Sequence, residues 1–209
     1  MQKFTVLTGL AAPLDRANVD TDQLIPKQFL KRVEREGFGQ YLFYNWRFKP
    51  DGSPDLGFVL NQPRYQGATI LLAGENFGSG SSREHAPWAL LDYGFRVVVA
   101  PSFADIFRNN ASKIGLLLVE MDGQLMREWL QRAQANEGYR ITVDLARQEM
   151  LGSDGFACVF KIDPFHKRRL LEGLDDIGLT LERQAEIKAY EESHQEPWQA
   201  VAHGLTPRE

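Results

Sequence analysis

The densest run of reactive side chains in the sequence is Glu75-Asn76-Phe77-Gly78-Ser79-Gly80-Ser81-Ser82-Arg83-Glu84-His85. Gly78 and Gly80 allow backbone N–H groups to come close to a bound ligand. Arg83 can grip a carboxylate with two parallel hydrogen bonds, and a helix starting just beyond the run would add partial positive charge. These are the parts of an anion site. The same spacing also fits a plainer role, a glycine-rich turn whose serines cap a helix, since Ser81 and Glu84 have capping-box spacing. Pro87 sits best if that helix begins near Glu84. Other chemistries do not fit. The run lacks the third glycine of a dinucleotide fingerprint and the Gly-Lys-Ser/Thr ending of a phosphate loop. It is not the Gly-x-Ser-x-Gly elbow of a serine hydrolase, and His85 is too close in sequence to act simply as a triad base. The other histidines, His166, His194 and His203, fall in expected surface helix or tail.

The loop needs elements to hold it, and the flanking sequence provides them. Ala68 to Ala73 is a short apolar run bounded by Gly67 and Gly74, as in a buried strand. After the loop comes a helix carrying Trp88, Leu90 and Leu91, closed by Gly94, and then a second apolar strand, Arg96 to Ala100. The order repeats: Ser102 is expected to cap a helix to about Lys113, Gly115 to end it, and Leu116 to Val119 to form the next strand. Parallel pairing through right-handed crossovers follows, and ligands of open α/β sheets bind at the strand ends where this loop lies. Upstream, Phe4 to Leu7 alternates like a strand, Asn18 to Asp22 reads as a loop, Phe29 to Glu36 as a helix and Pro50 to Pro54 as a loop. Downstream, a helix is expected from Asp122 through Arg132. Tyr139 to Leu145 and Phe156 to Ile162 should pair as a hairpin. Asp163-Pro164 should open a helix that Gly173 stops, and Thr180 should cap a last helix over 181–192.

The whole chain, 209 residues with 43% hydrophobic and 25% charged residues, suits one domain over 1–209, of which 195–209 is a polar tail. The formal charge of −4, without a long basic run, argues against nucleic acid as partner. No apolar run approaches the roughly 20 residues of a membrane span, and the start lacks the features of a secretory signal, so a cytoplasmic location is expected. The single cysteine, Cys158, excludes an internal disulfide and cannot alone ligate zinc or an iron–sulfur cluster.

Gly80-Ser81-Ser82-Arg83-Glu84-His85-Ala86, followed by Ser102-Phe103-Ala104-Asp105-Ile106 and Asn109, resembles the swivel-domain signature of the aconitase superfamily. Asn18-Val19-Asp20-Thr21-Asp22-Gln23-Leu24-Ile25-Pro26 looks like its N-terminal motif. Nearly the whole length is similar to bacterial small subunits of 3-isopropylmalate dehydratase. The resemblance implies an α/β fold of three-layer β/β/α swivel type. It implies a hydro-lyase of leucine biosynthesis, interconverting 2- and 3-isopropylmalate and active only with a large subunit that carries a four-iron four-sulfur (4Fe–4S) cluster. This chain would itself bind no metal, and its other partner would be a small dicarboxylate. By the same resemblance Ser81 is the catalytic base, Ser82, Arg83 and Gly80 bind substrate, Asp22 organises the site, and Lys31 meets the variable side of the substrate. At that last position relatives carry arginine, and lysine lacks its two-pronged geometry; Lys31 also reads simply as one charge on a solvated helix face. Alternatives remain: a related substrate such as homoaconitate or a methyl-substituted malate, or a carboxylate-binding module without catalysis.

Overall fold

A computed structural model describes residues 1–30 and 37–194. The chain divides into two compact units, Met1–Gly173 and Leu174–Glu209. The first holds β1 (Val6–Leu14), α1 (Thr21–Leu24), α2 (Tyr44–Arg47), β2 (Ile70–Ala73), α3 (His85–Tyr93), β3 (Val97–Ala100), α4 (Asp105–Ile114), β4 (Leu117–Glu120), α5 (Gly123–Ala135), β5 (Arg140–Asp144), β6 (Glu149–Gly152), β7 (Ala157–Val159) and α6 (Pro164–Glu172). The second unit contributes α7 (Asp176–Leu181) and α8 (Gln184–Ser193). No helix among the described residues is long and apolar enough to cross a membrane.

All seven strands form one sheet in the order β4-β3-β2-β1-β5-β6-β7. The long β1 joins its two halves: Ala11–Leu14 pairs parallel with β2, while Val6–Leu10 pairs antiparallel with β5. Within the parallel half, β2 and β3 are buried on both faces, and they read as continuous apolar runs for that reason. Successive residues alternate between two cores. Leu71, Ala73, Val98 and Ala100 face one, with residues of α3, α4 and the segment from Phe38 to Tyr65. Ile70, Leu72, Val97 and Val99 face the other, with Trp129 of α5, Ile141 and Val143 of β5 and Met150 of β6. Because both halves of the sheet meet in this second core, the sheet curls around α5. The result is the expected three-layer β/β/α arrangement.

Local chemistry explains where several helices start and stop. Gly94, Gly115 and Gly173 follow α3, α4 and α6 with φ of 118°, 90° and 73°, the left-handed conformation in which glycine has no side-chain penalty. Asp163 caps α6 by accepting from the Phe165 and His166 N–H groups, with Pro164 at the first position. Asp122 caps α5 in the same way through Gln124.

Several expectations need correction. The first strand starts at Val6 and runs on to Leu14. Asn18 to Asp22 is not wholly loop: Asp20 and Gln23 form a reciprocal capping box that starts the one-turn helix α1. Ser102 does not cap α4; its hydroxyl accepts the Asn76 N–H at 2.8 Å, and Ala104 occupies the cap without a side-chain bond. The segments around Tyr139 and Phe156 do not pair with each other, because β6 lies between them and pairs with both. Thr180 lies inside α7, with Asp175 as cap, and its hydroxyl donates to the Asp176 carbonyl. The helix expected over 29–36 falls mostly outside the described residues; Lys27–Phe29 before it is a short 3-10 turn.

Candidate active site at the serine loop

Three segments meet beyond the C-terminal end of β2. The connection from β2 to α3 carries the serines. Residues 16–21 run beside it, with the Asn18 N–H on the Glu75 carbonyl at 2.8 Å, the Gly78 N–H on the Val19 carbonyl at 2.7 Å and the Thr21 N–H on the Ser79 carbonyl at 2.8 Å. On its other side Phe77 exchanges backbone bonds with Ser102 and Ala104. The loop is therefore hydrogen-bonded on one edge at Phe77 and on the other as far as Ser79, and beyond Ser79 its backbone is held at the Ser81 carbonyl by the Thr21 hydroxyl.

Beneath it lies an aromatic floor. Phe77, Phe103 and Phe107 are buried and mutually in contact, with ring centroids 5.4, 6.2 and 6.4 Å apart. Burying one such ring contributes about 1.5–3 kcal/mol. Gly78 crosses this floor with φ of +78°, and a Cβ there would lie 2.2 Å from Cγ of Phe107. Gly78→Ala is thus expected to destabilise the protein by roughly 2–5 kcal/mol, from the left-handed conformation and from overlap with a ring that cannot retreat. Thermal unfolding followed by circular dichroism checks this: a midpoint lowered by less than about 5 °C would mean that the ring yields easily.

Past the floor, Gly80, Ser81 and Ser82 are exposed. Their N–H groups and that of Arg83 have no hydrogen-bond acceptor among the described residues. α3 starts at His85, so the capping-box spacing of Ser81 and Glu84 is not used and no side chain caps the helix. The expectation that Pro87 places the helix start near Glu84 holds.

Arg83 turns inward, its side chain only 9% exposed, and its Nη1 donates to Oδ1 of Asp22 on α1. The other carboxylate oxygen of Asp22 faces Nζ of Lys27 at 3.7 Å. The Arg83 hydrogen bond, aided by the charges of Arg83 and Lys27, holds the Asp22 carboxyl below its ordinary value against the opposing effect of burial. Asp22 is ionised at neutral pH and fixes one prong of the guanidinium. Thr21, next to it, is buried, and its hydroxyl donates to the Ser81 carbonyl at 3.0 Å.

Of the residues singled out in the sequence, Gly80, Ser81, Ser82 and Arg83 share this loop, and Asp22 joins them from 61 positions away. Lys31 lies outside the described residues. Sequence reasoning missed Thr21 and Lys27; Thr21 stood within the N-terminal motif, while Lys27 offered no signal beyond following Pro26. His85 is not part of the site. It packs against Phe38 and Trp88, with centroids 5.1 and 4.9 Å away, and burial lowers its pKa. A cleft of about 630 Å³ between α4, β4 and α6 shares no lining residue with the serine loop.

No group of three or more His, Cys, Asp or Glu among the described residues is arranged to hold a metal ion. Cys158 does not fit an iron–sulfur cluster: it is partly buried on β7, and burial pushes its thiol up, away from the thiolate that iron needs.

A curled seven-stranded sheet with a Gly-Ser-Ser-Arg loop beyond its parallel half defines an aconitase-type swivel domain. In agreement, the family model described as the aconitase C-terminal domain matches residues 1–124. Two further models, LeuD_N and the C-terminal domain of the 3-isopropylmalate dehydratase small subunit, match 127–164 and 176–200. The protein named 3-isopropylmalate dehydratase small subunit in Brevibacillus brevis is 55% identical over 91% of this chain and 98% of its own. That of Geobacillus kaustophilus is 56% identical over 93% and 98%. A crystal structure of 3-isopropylmalate dehydratase from Methanocaldococcus jannaschii has the same fold, with a TM-score of 0.67 at 23% identity over 88% of this chain and 99% of that one. The chain belongs to the family of 3-isopropylmalate dehydratase small subunits, which act with a large subunit as hydro-lyases in leucine biosynthesis.

Proposed function

We propose that this chain is the proton-handling half of a cytoplasmic two-subunit enzyme that interconverts 2-isopropylmalate and 3-isopropylmalate through isopropylmaleate. Dehydration removes a proton from one carbon and hydroxide from its neighbour, and rehydration returns them with the positions exchanged. Ser81 takes and returns the proton at the carbon next to a carboxylate. Arg83 and Ser82 hold that carboxylate, Gly80, without a side chain, lets it approach the loop, and Asp22 keeps the guanidinium in one orientation. A lone serine is a poor base, and its alkoxide becomes accessible only beside fixed positive dipoles and charge. The observation that carries the proposal is the exposed Ser81 flanked by N–H groups that have no acceptor among the described residues and by an arginine locked on Asp22.

The 4Fe–4S cluster, on the large subunit, supplies Lewis acidity toward the departing hydroxyl. The serine loop is covered by the large subunit, since a reacting carbon must reach both chains at once. The family resemblance assigns Lys31, outside the described residues, to the substrate's variable side.

The test is to mix the purified chain anaerobically with a cluster-loaded large subunit and follow isopropylmaleate absorbance from 3-isopropylmalate, with each subunit alone as control. Activity in the mixture alone is expected. A complex that forms but does not turn over would point to another substituted malate, and affinity for dicarboxylates without any complex would point to a binding module.

A further inference from the structure

Thr21 holds the serine loop on both sides of Gly80. Its N–H donates to the Ser79 carbonyl at 2.8 Å, and its hydroxyl donates to the Ser81 carbonyl at 3.0 Å. Gly80 between them has φ of +92°, and a Cβ there would lie 3.4 Å from Oγ1 of Thr21. Thr21 itself cannot drift: it is 2% exposed and sits in the single turn that the Asp20–Gln23 capping box closes.

These two bonds set the direction of two peptide planes. No peptide bond in the described chain is cis, and in a trans peptide the C=O and the following N–H point opposite ways. With the carbonyls of Ser79 and Ser81 drawn toward Thr21, the N–H groups of Gly80 and Ser82 face away from it. They are the donors on either side of Ser81, and both lack an acceptor among the described residues. The hydroxyl of Thr21 is spent on a carbonyl, so it does not compete for Oγ of Ser81.

We infer that Thr21 is a positioning residue for proton transfer, aiming the Gly80 and Ser82 N–H groups so that they stabilise the Ser81 alkoxide. This rests on the reading of Ser81 as the base. Valine in place of threonine keeps the shape and the backbone donor but releases the Ser81 carbonyl, so the 81–82 peptide can rotate and turn the Ser82 N–H aside. Serine keeps the hydroxyl.

The experiment compares Thr21→Val, Thr21→Ser, Ser81→Ala and the Thr21→Val/Ser81→Ala double variant in the reconstituted complex. Thr21→Val is expected to lower kcat by about 10- to 100-fold, as for a misplaced oxyanion donor, with KM changed less than about threefold. Thr21→Ser should retain most of kcat, and the double variant should turn over no more slowly than Ser81→Ala, since nothing remains for Thr21 to position. Wild-type kcat in Thr21→Val, or losses that multiply in the double variant, would overturn the inference while leaving Ser81 in place. Near-normal turnover of Ser81→Ala would instead overturn the reading beneath it. If Thr21→Val does not assemble, Thr21→Ser decides: retained kcat supports the hydroxyl's role, and a tenfold loss overturns it.

Discussion

Replacing Ser81 by alanine in the two-subunit enzyme is expected to lower kcat by about 10²–10⁴-fold, the usual worth of a positioned general base, with association unchanged. Ser81 is exposed, and its side chain makes no hydrogen bond to a described residue. Truncating such a residue costs the fold within about 0.5 kcal/mol, so lost turnover cannot be assigned to unfolding. KM should move little, because the carboxylate-holding groups, Ser82 and Arg83, are untouched. Retained turnover would remove Ser81 as the base and shift attention to Ser82, the only other hydroxyl between Gly80 and Arg83. The two measurements that decide are steady-state kinetics of isopropylmaleate formation and co-elution of the two chains on size exclusion.

The parts of this site that depend on local chemistry were readable from residue types. Gly94, Gly115 and Gly173 announced three helix ends because a positive φ is a property of one residue and its neighbours. The apolar runs that became β2 and β3 were legible because strands buried on both faces need no alternation. What escaped the reading was set by distant partners. β1 contains Gly9 and Pro13, which argue against a strand, yet it is held on one side by β2 and on the other by β5. β6 hid between two turns, since Glu-Met-Leu-Gly shows too little pattern for a strand; its register comes from β5 and β7. α1 is a single turn that would not persist alone, and its bonds to Ser79 and Ser81 supply what its length does not. The role of Thr21 escaped for a further reason: its hydroxyl meets a backbone carbonyl, and no residue type reveals where a carbonyl will point.

Arg83→Lys is expected to lower kcat/KM by roughly 10²–10³-fold, a larger effect than removing the charge of its partner through Asp22→Asn, for which about tenfold is expected. The asymmetry follows from burial. Arg83 is 9% exposed and Asp22 is 41% exposed, so the guanidinium depends on this pair for its orientation while the carboxylate can still turn to water. A planar five-donor group can give one prong to Asp22 and two parallel bonds to a substrate carboxylate. A lysine ammonium, shorter and without the fork, must choose between them. Asparagine at position 22 keeps an acceptor for Nη1 and loses only charge. The pH dependence separates the two roles. The folded carboxyl of Asp22 lies below its ordinary 3.8, so the stability that the pair contributes is fully present above that value and is lost as pH falls through the lowered one. The stability difference between wild type and Asp22→Asn should therefore be flat at neutral pH and shrink below roughly pH 4. The ratio of their activities should likewise not change between about pH 6 and 9, because Asp22 does not titrate there. An unchanged kcat/KM in Arg83→Lys would show that the guanidinium only ties α1 to the serine loop and does not reach the substrate.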